Sequence, residues 1–336
     1  MIQTNRRTTL KDVAREAGVS AMAVSKVLNG KGGISPETSK RIREAAKKLN
    51  YQPDNIAKSL RVQETNTLGL VMGDSSQLVF AKVLRGVQDA AAAAGHSVIV
   101  ANTDQDVEKE KRAVELLLRQ RIDGLILAAP LRVSPEALNK LQDNGTPTVL
   151  LMRSSPGLDI DSIENDNFQG GYDIVDYLLK TGSRDIWFLS LPLASQPSQV
   201  RMRGYRQAFR DHGLTLAENQ VVHCEPYIEA GAQAMTRLLD NGLKSGTICC
   251  GCDLIAVGAI NVIRKRGFSV PEDFRVTGYD DIDLMDYLEV PLTTIRQPKY
   301  EIGNEGVQLL IERIQNPQRI ARHLSLHSDL IIRKST

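Results

Sequence analysis

Apolar residues in the first fifty positions recur at helical spacing. Val13, Ala14 and Ala17 form one stripe, Val24, Val27 and Leu28 a second, and Ile42, Ala45, Ala46 and Leu49 a third, which predicts three short helices. Their ends are marked as well. Thr9 followed by Asp12 is an N-cap signal, and Gly18 closes the first helix because glycine tolerates the left-handed turn needed there. Ser20 caps a second helix running from Ala21 to about Leu28. Asn29-Gly30-Lys31-Gly32-Gly33 reads as a loop, and Ser35-Pro36-Glu37 opens the third helix with cap, first-turn proline and carboxylate in order.

From Thr67 the pattern changes. Short apolar runs at Leu68–Met72, Ser97–Ala101, Gly124–Ala128, Thr148–Met152, Ile186–Ser190, Thr247–Cys250 and Val276–Gly278 predict strands. Amphipathic stretches between them predict helices over Ala81–Ala94, Glu108–Gln120, Pro135–Asn144, Gly170–Lys180, Val200–Asp211, Ala230–Asn241 and Leu254–Arg266. This alternation predicts an α/β core of doubly wound parallel sheets, which bind ligands at the carboxyl ends of their strands. Roughly 270 residues suffice for two such lobes with a cleft between them.

Composition adds a division of labour. The 336 residues are 42% hydrophobic and 24% charged, with a formal charge of +2. Residues 1–61 hold 13 Lys and Arg against 5 Asp and Glu, whereas the remainder holds 29 against 35. A basic head on a mildly acidic body is the footprint of nucleic-acid binding by the head alone. No run of about 18 uncharged apolar residues predicts a membrane span, and the polar, basic stretch Met1 to Lys11 does not read as a secretion signal. Three of the four cysteines crowd into Cys249-Cys250-Gly251-Cys252. They read as core thiols in a reducing, cytoplasmic setting rather than as a disulfide framework.

Helix, glycine turn, helix is the helix-turn-helix arrangement, whose second helix enters the major groove. The run from Thr9 to Ser20 (TLKDVAREAGVS), followed by Val24-Ser25-Lys26-Val27-Leu28-Asn29, strongly resembles the head of the LacI/GalR family of bacterial transcription regulators. The resemblance implies that Ala21, Met22 and Lys26 face base edges, while Ser20, Ser25 and Asn29 contact phosphates; Thr9, at the head's first cap, joins them as a DNA-binding candidate. Lys26 can donate to guanine, and Met22 offers an apolar surface to a thymine methyl; Met22 packed against the head's own core is the competing reading. Tyr51 to Arg61 (YQPDNIAKSLR) is similar to the family's hinge helix, too short to stand alone. There Leu60 would wedge into a minor-groove base step, Ala57 would let paired hinges approach, and Asn55 would lie against the DNA.

The body resembles the same family's periplasmic-binding-protein-like core at Ala101-Asn102-Thr103-Asp104, Arg121 to Ile126, Gly278-Tyr279-Asp280-Asp281 and Pro291 to Ile295. The implied organisation is a helix-turn-helix domain at 1–50, a hinge and linker at 51–66, and a core at 67–336. Its lobe 1 comprises about 67–165 and 297–326, and lobe 2 about 166–296 and 327–336. Effector-binding candidates follow strand ends: Phe80, Arg153, Asp166, Arg201, Cys252, Asp253 and Asp280. Arginine reads hydroxyl or carboxylate pairs and aspartate accepts hydroxyl donors; for each, a salt bridge across the cleft is the alternative.

Three departures bear on the ligand. Gln77-Leu78-Val79 replaces the family's usual Asn-Pro before Phe80, Met152 stands where many members carry an acceptor carboxylate, and Cys252 replaces an asparagine. Hydrogen-bonding capacity is lost and two arginines are near, so the expected effector is a sugar, a sugar acid or a similar small metabolite. No Walker A run, Gly-x-Ser-x-Gly elbow, His-Glu-x-x-His or Gly-x-Gly-x-x-Gly fingerprint occurs. No enzymatic activity, cofactor or metal site is expected. No leucine heptad follows the strand-like Leu330–Arg333, which favours a homodimer over a tetramer. The expectation is a repressor of carbohydrate-related genes on a palindromic duplex operator, cytoplasmic and nucleoid-associated. A corepressor-dependent regulator or activator of the same family is the alternative, with a transport solute-binding protein further behind.

Overall fold

The computed structural model describes residues 8–28, 32–51, 65–128, 141, 144–154 and 159–336. The chain divides into two compact units, Met1–Thr65 and Asn66–Thr336.

In the first unit, α1 (Leu10–Ala17), α2 (Ala21–Leu28) and α3 (Pro36–Lys48) begin where polar caps stand. The Thr9 N–H and hydroxyl both donate to the Asp12 carboxylate, at 2.9 and 2.6 Å. Ser20 Oγ accepts the Ala23 N–H and Ser35 Oγ the Thr38 N–H. Each such cap stabilises its helix by about 1 kcal/mol, which matters for helices this short. Gly18 turns the chain at φ 62°, and the predicted stripes close on one another: Val13, Ala14, Ala17, Val24, Val27, Ile42, Ala45 and Ala46 are all buried in one cluster.

The second unit contains two parallel sheets. The larger is ordered β11–β5–β4–β3–β1–β2, from β1 (Thr67–Met72), β2 (Ser97–Asn102), β3 (Gly124–Ala128), β4 (Thr148–Leu151), β5 (Asp161–Asn165) and β11 (His323–Leu326). Strand alternation sorts its side chains. Leu70 and Ile126 face Val83 and Val87 of α4 (Leu78–Ala93) and Ile302 and Leu310 of α10 (Lys299–Gln315). Val71, Leu125 and Leu127 face Leu117 of α5 (Val107–Arg119).

The smaller sheet is ordered β7–β6–β8–β9, from β6 (Ile186–Ser190), β7 (Val221–His223), β8 (Gly246–Cys250) and β9 (Phe274–Thr277). Phe188 and Cys249 pack under α6 (Asn167–Lys180) and α7 (Gln196–Asp211). Leu189, Ile248 and Cys250 pack under α8 (Ile228–Asp240) and α9 (Asp253–Lys265). The chain passes between the two layers after Asn165, Arg296 and Leu326, and β10 (Thr294–Arg296) pairs antiparallel with β12 (Asp329–Ile331) at the passage.

The hydrophobic pattern missed β5, β7, β10, β11 and α10. In β5, Asp161 and Ser162 are buried, and burial is tolerated because Arg313 and Arg319 pair with Asp161 and His323 bonds Ser162. Strand boundaries shift by one or two residues at β1, β2, β4, β8 and β9. The run expected over Thr148–Met152 ends at Leu151, with Met152 at φ 59°, and the run expected from Val276 starts at Phe274. Helices α6 and α7 start earlier than their apolar stripes, because Asp166 and Ser195 supply polar caps. Most of the helix expected over Pro135–Asn144 lies outside the described residues.

Candidate functional site

In the head, α2 turns Val24 and Val27 inward, and its other face is left to solvent. Met22 is 70% exposed, so the reading in which it packs into the head's own core is overturned. Ser20, Lys26 and Thr9 are exposed, while Ala21 and Ser25 are half-buried. Lys11, Arg15, Lys40, Arg41, Arg43 and Lys47 add exposed positive charge. Asn29, Asn55, Ala57 and Leu60 lie outside the described residues.

In the body, the carboxyl ends of both sheets deliver side chains to one cavity of about 240 Å³. The turn after β1 and the start of α4 bring Gln77 and Phe80, and the chain after β4 brings Met152 and Arg153. From the smaller sheet come Arg201 on α7, Cys252 after β8 and Asp280 after β9, with Gln297 from the passage between layers. Five of the seven residues singled out in the sequence therefore share this wall. Asp166 and Asp253 do not line it. Asp166 instead accepts the Gln169 N–H as the N-cap of α6. Asp253 is fully buried, accepting the Thr294 hydroxyl at 2.6 Å and the Ile282 N–H at 2.9 Å. Burial, with Asp280 adding to it, pushes the Asp253 carboxyl well above the ordinary aspartate range.

Arg201 is held on three sides. Its Nε donates to Asn167 Oδ1 and its Nη1 to the Gly251 carbonyl, both at 2.8 Å. Its guanidinium lies 3.5 Å from the Tyr279 ring centroid, a cation–π contact. Asn165 Nδ2 in turn reaches Asn167 Oδ1 and the Tyr279 hydroxyl, both at 3.2 Å. Burial pushes the Tyr279 hydroxyl up to about 12, so at neutral pH the ring carries no charge of its own. Asn167 and Tyr279 were not among the sequence candidates; a tyrosine next to a candidate aspartate was the one available signal.

Asp280 takes a backbone φ of 124°. Gln297 Nε2 donates to its carboxylate, and the buried Lys299 ammonium to its carbonyl. Burial raises the Asp280 pKa, against the pull of Arg201, Lys299 and Gln297. Burial also raises the Cys252 thiol, which stands at the wall as a neutral group. Gln77 Nε2 and Gln297 Oε1 are among the buried polar atoms of the wall with no partner in the protein, and such atoms call for one.

A larger opening of about 660 Å³ is lined by Lys82, Asp281, Asp286, Arg296, Lys299 and Arg333 among others. Its charges pair among themselves, Arg296 with Asp281 at 2.6 Å and Arg333 with Asp281 at 2.8 Å. Gln297 borders both openings, whereas the unpartnered Gln77 Nε2 belongs to the smaller cavity alone. Among the described residues no group of three or more His, Cys, Asp or Glu side chains could hold a metal ion, and no helix is long and apolar enough to cross a membrane.

Residues 65–334 match the family described as periplasmic binding proteins and sugar binding domain of LacI family, and residues 9–54 match bacterial regulatory proteins, lacI family. The chain belongs to the LacI family. Relatives within it include the HTH-type transcriptional repressor PurR of Pasteurella multocida, 33% identical over 329 residues that cover 97% of this chain and 98% of the relative. The ribose operon repressor of Escherichia coli is also 33% identical, covering 97% and 99%. Among solved structures, a lac repressor dimer bound to operator and the anti-inducer ONPF superposes with a TM-score of 0.89 at 27% identity, covering 98% of this chain and 99% of that one. The LacI-family chain is thus a transcription regulator, with a helix-turn-helix head and a core of the sugar-binding type.

Proposed function

We propose that this LacI-family regulator is a repressor that binds a palindromic operator as a homodimer and is controlled by a small polyhydroxylated metabolite held in the 240 Å³ cavity. One observation carries the reading: a chain whose head exposes Lys26 and Met22 on one helix face also walls a cavity with Arg201 and Asp280. In the head, Lys26 donates to guanine O6 or N7, Met22 covers a thymine methyl, and Ser20, Ser25, Thr9 and Asn29 set the register on phosphates. Ala21 completes the reading face. Two heads related by a two-fold axis match the two half-sites of a palindrome.

The hinge at 51–66 couples the two activities. Leu60 enters a minor-groove base step opposite its mate, with Ala57 allowing the two hinges to meet and Asn55 at the backbone. The core acts as two lobes, about 67–165 with 297–326 and about 166–296 with 327–336, and ligand bound between them biases their spacing. That bias alters operator affinity only through the ligand's differential affinity for the two arrangements. Action on operator DNA places the protein in the cytoplasm, and its genes are those of carbohydrate use. Its role is regulatory rather than enzymatic.

The test is sequence selection with the full-length chain on a random duplex pool, with and without sugars and sugar derivatives. The expected result is one two-fold symmetric site, whose enrichment changes with one ligand. Absence of any preferred duplex under every condition would falsify the reading.

A further inference from the structure

Resting on the reading of this cavity as the effector site, we infer that Lys299 is a positioning residue for it. The buried ammonium reaches from the first residue of α10, on the larger sheet, and clamps the turn after β9 of the smaller sheet. The clamp holds the Asp280 carboxylate at the cavity wall and is released when the two sheets part.

The turn carries two successive non-glycine residues at positive φ, Asp280 at 124° and Asp281 at 51°. The second value is the left-handed conformation that aspartate tolerates, whereas the first lies outside the regions open to a residue with a side chain. Such a conformation persists only where surrounding contacts over-determine it. Successive carbonyls of an extended chain point to opposite sides, but the left-handed Asp281 brings two of them to one side. The Asp280 and Asp281 carbonyls both accept from Lys299 Nζ, the second at 3.1 Å.

The other cations nearby grip side chains. Arg296 and Arg333 bond the Asp281 carboxylate at 2.6 and 2.8 Å, and Lys82 of α4 pairs with the Asp283 carboxylate. A side-chain pair leaves the peptide free to turn, and Lys82 and Asp283 are exposed, where such a pair contributes little. Lys299 is buried. Burial lowers its pKa, with Lys82 adding to it, against the pull of Asp280, Asp253 and Asp281. A methionine of similar length would avoid that desolvation, so the ammonium is offset by these carboxylates and by its two carbonyl bonds.

The two ends of the clamp belong to different layers. Helix α10 packs on the larger sheet through Ile302, Val307 and Leu310. The turn is fixed to the smaller sheet's side, where Ile282 is buried with Leu292 and Val276 and its N–H donates to Asp253 at 2.9 Å. Movement of one layer against the other therefore draws the ammonium from the carbonyls before it disturbs either core. Released, Asp280 relaxes to a negative φ, and its carboxylate leaves the wall it shares with Gln297. Ligand contact and layer spacing then form one equilibrium, which supplies the differential affinity that control requires.

The experiment is hydrogen exchange of the full-length chain, unsubstituted and as Lys299→Met, read by mass spectrometry on peptides covering 279–284. Exchange there is expected to be at least tenfold faster in the variant, with β6 and β8 unchanged; equal exchange overturns the inference. Urea unfolding of Lys299→Met in Asp280→Gly and Asp280→Asn backgrounds separates a clamp from a general loss of stability. Glycine removes the backbone strain together with the carboxylate, whereas asparagine removes the charge alone. The fold-loss in folding constant caused by Lys299→Met is expected to be at least fivefold smaller in the glycine background, and equal losses overturn the inference. If Lys299→Met alone does not fold, Asp280→Gly should restore folding where Asp280→Asn does not. Duplex selection with D-glucose, D-galactose, D-xylose and D-gluconate separates the two readings. A preferred duplex whose sugar response survives in Lys299→Met overturns the clamp and leaves the effector reading intact, whereas faster exchange at 279–284 in a chain that selects no duplex upholds the clamp and removes the repressor.

Discussion

At the scale of single residues, burial rather than residue type divides the charged side chains into different roles. Lys26 and Met22 stand free on α2 because Val24 and Val27 of the same helix hold the core. Lys26→Ala should therefore relax preference at one base pair per half-site, at a cost of about 1–3 kcal/mol on the preferred site. Comparing the selected-site profiles of the two proteins checks this, and identical profiles remove Lys26 from base reading.

Asp161 shows the opposite case. It is fully buried and accepts from Arg313 Nε at 2.8 Å, from Arg319 at 2.7 and 2.8 Å and from the Arg322 N–H at 2.9 Å. Burial alone would raise its pKa, but these donors together hold it below the ordinary range. A depressed carboxyl contributes stability that is complete above the unfolded pKa and is lost as pH falls through the folded one. Asp161→Asn should cost about 3–5 kcal/mol at neutral pH. The gap from the unsubstituted protein should narrow as pH drops into and below the aspartate range, read from urea midpoints; a gap constant with pH would contradict the account.

At the scale of elements, three helix pairs cross at glycines contributed by both partners. A Cβ at Gly86 of α4 would meet the Tyr300 carbonyl of α10 at 2.2 Å, and one at Gly303 would meet the Val83 carbonyl at 2.1 Å. Gly171 and Gly204 stand likewise between α6 and α7, and Gly231 and Gly258 between α8 and α9. Backbone meets backbone at these crossings, so a methyl group cannot be accommodated by a rotamer change. Gly303→Ala should destabilise the body by roughly 1–3 kcal/mol, even though alanine favours an isolated helix by about 1 kcal/mol. Urea unfolding decides between them, and a stabilised variant would show that helix propensity outweighs the contact. Periodicity located five of these helices and missed α10. It could not see the crossings, because a glycine inside a helix reads as a weakness until its partner is known.

At the scale of the whole molecule, the proposed regulation runs from ligand in the body to the DNA through the hinge expected at 51–66. Leu60→Ala should lower operator affinity tenfold or more while leaving non-specific duplex binding near its original value, since a wedge contributes only where the duplex is kinked. Fluorescence anisotropy on operator and random duplexes checks it; equal losses on both would remove the wedge.

Local chemistry alone made the head legible: the caps at Thr9, Ser20 and Ser35, the turn at Gly18 and the three apolar stripes all act within a few residues of where they stand. Charge separation between head and body, and the strand–helix alternation of the body, were legible for the same reason. Tertiary structure decided which polar groups meet at the cavity. Asp253 and Asp280 look alike in sequence, yet one is sealed beneath Thr294 and the other opens beside Gln297. Strand β5 could be buried only because Arg313 and Arg319 arrive from more than 150 positions away, and Arg201 is oriented by Asn167 and Tyr279 from separate elements. Helix and strand formation depend on neighbours along the chain, whereas desolvation and pairing depend on neighbours in space, which only the folded chain brings together.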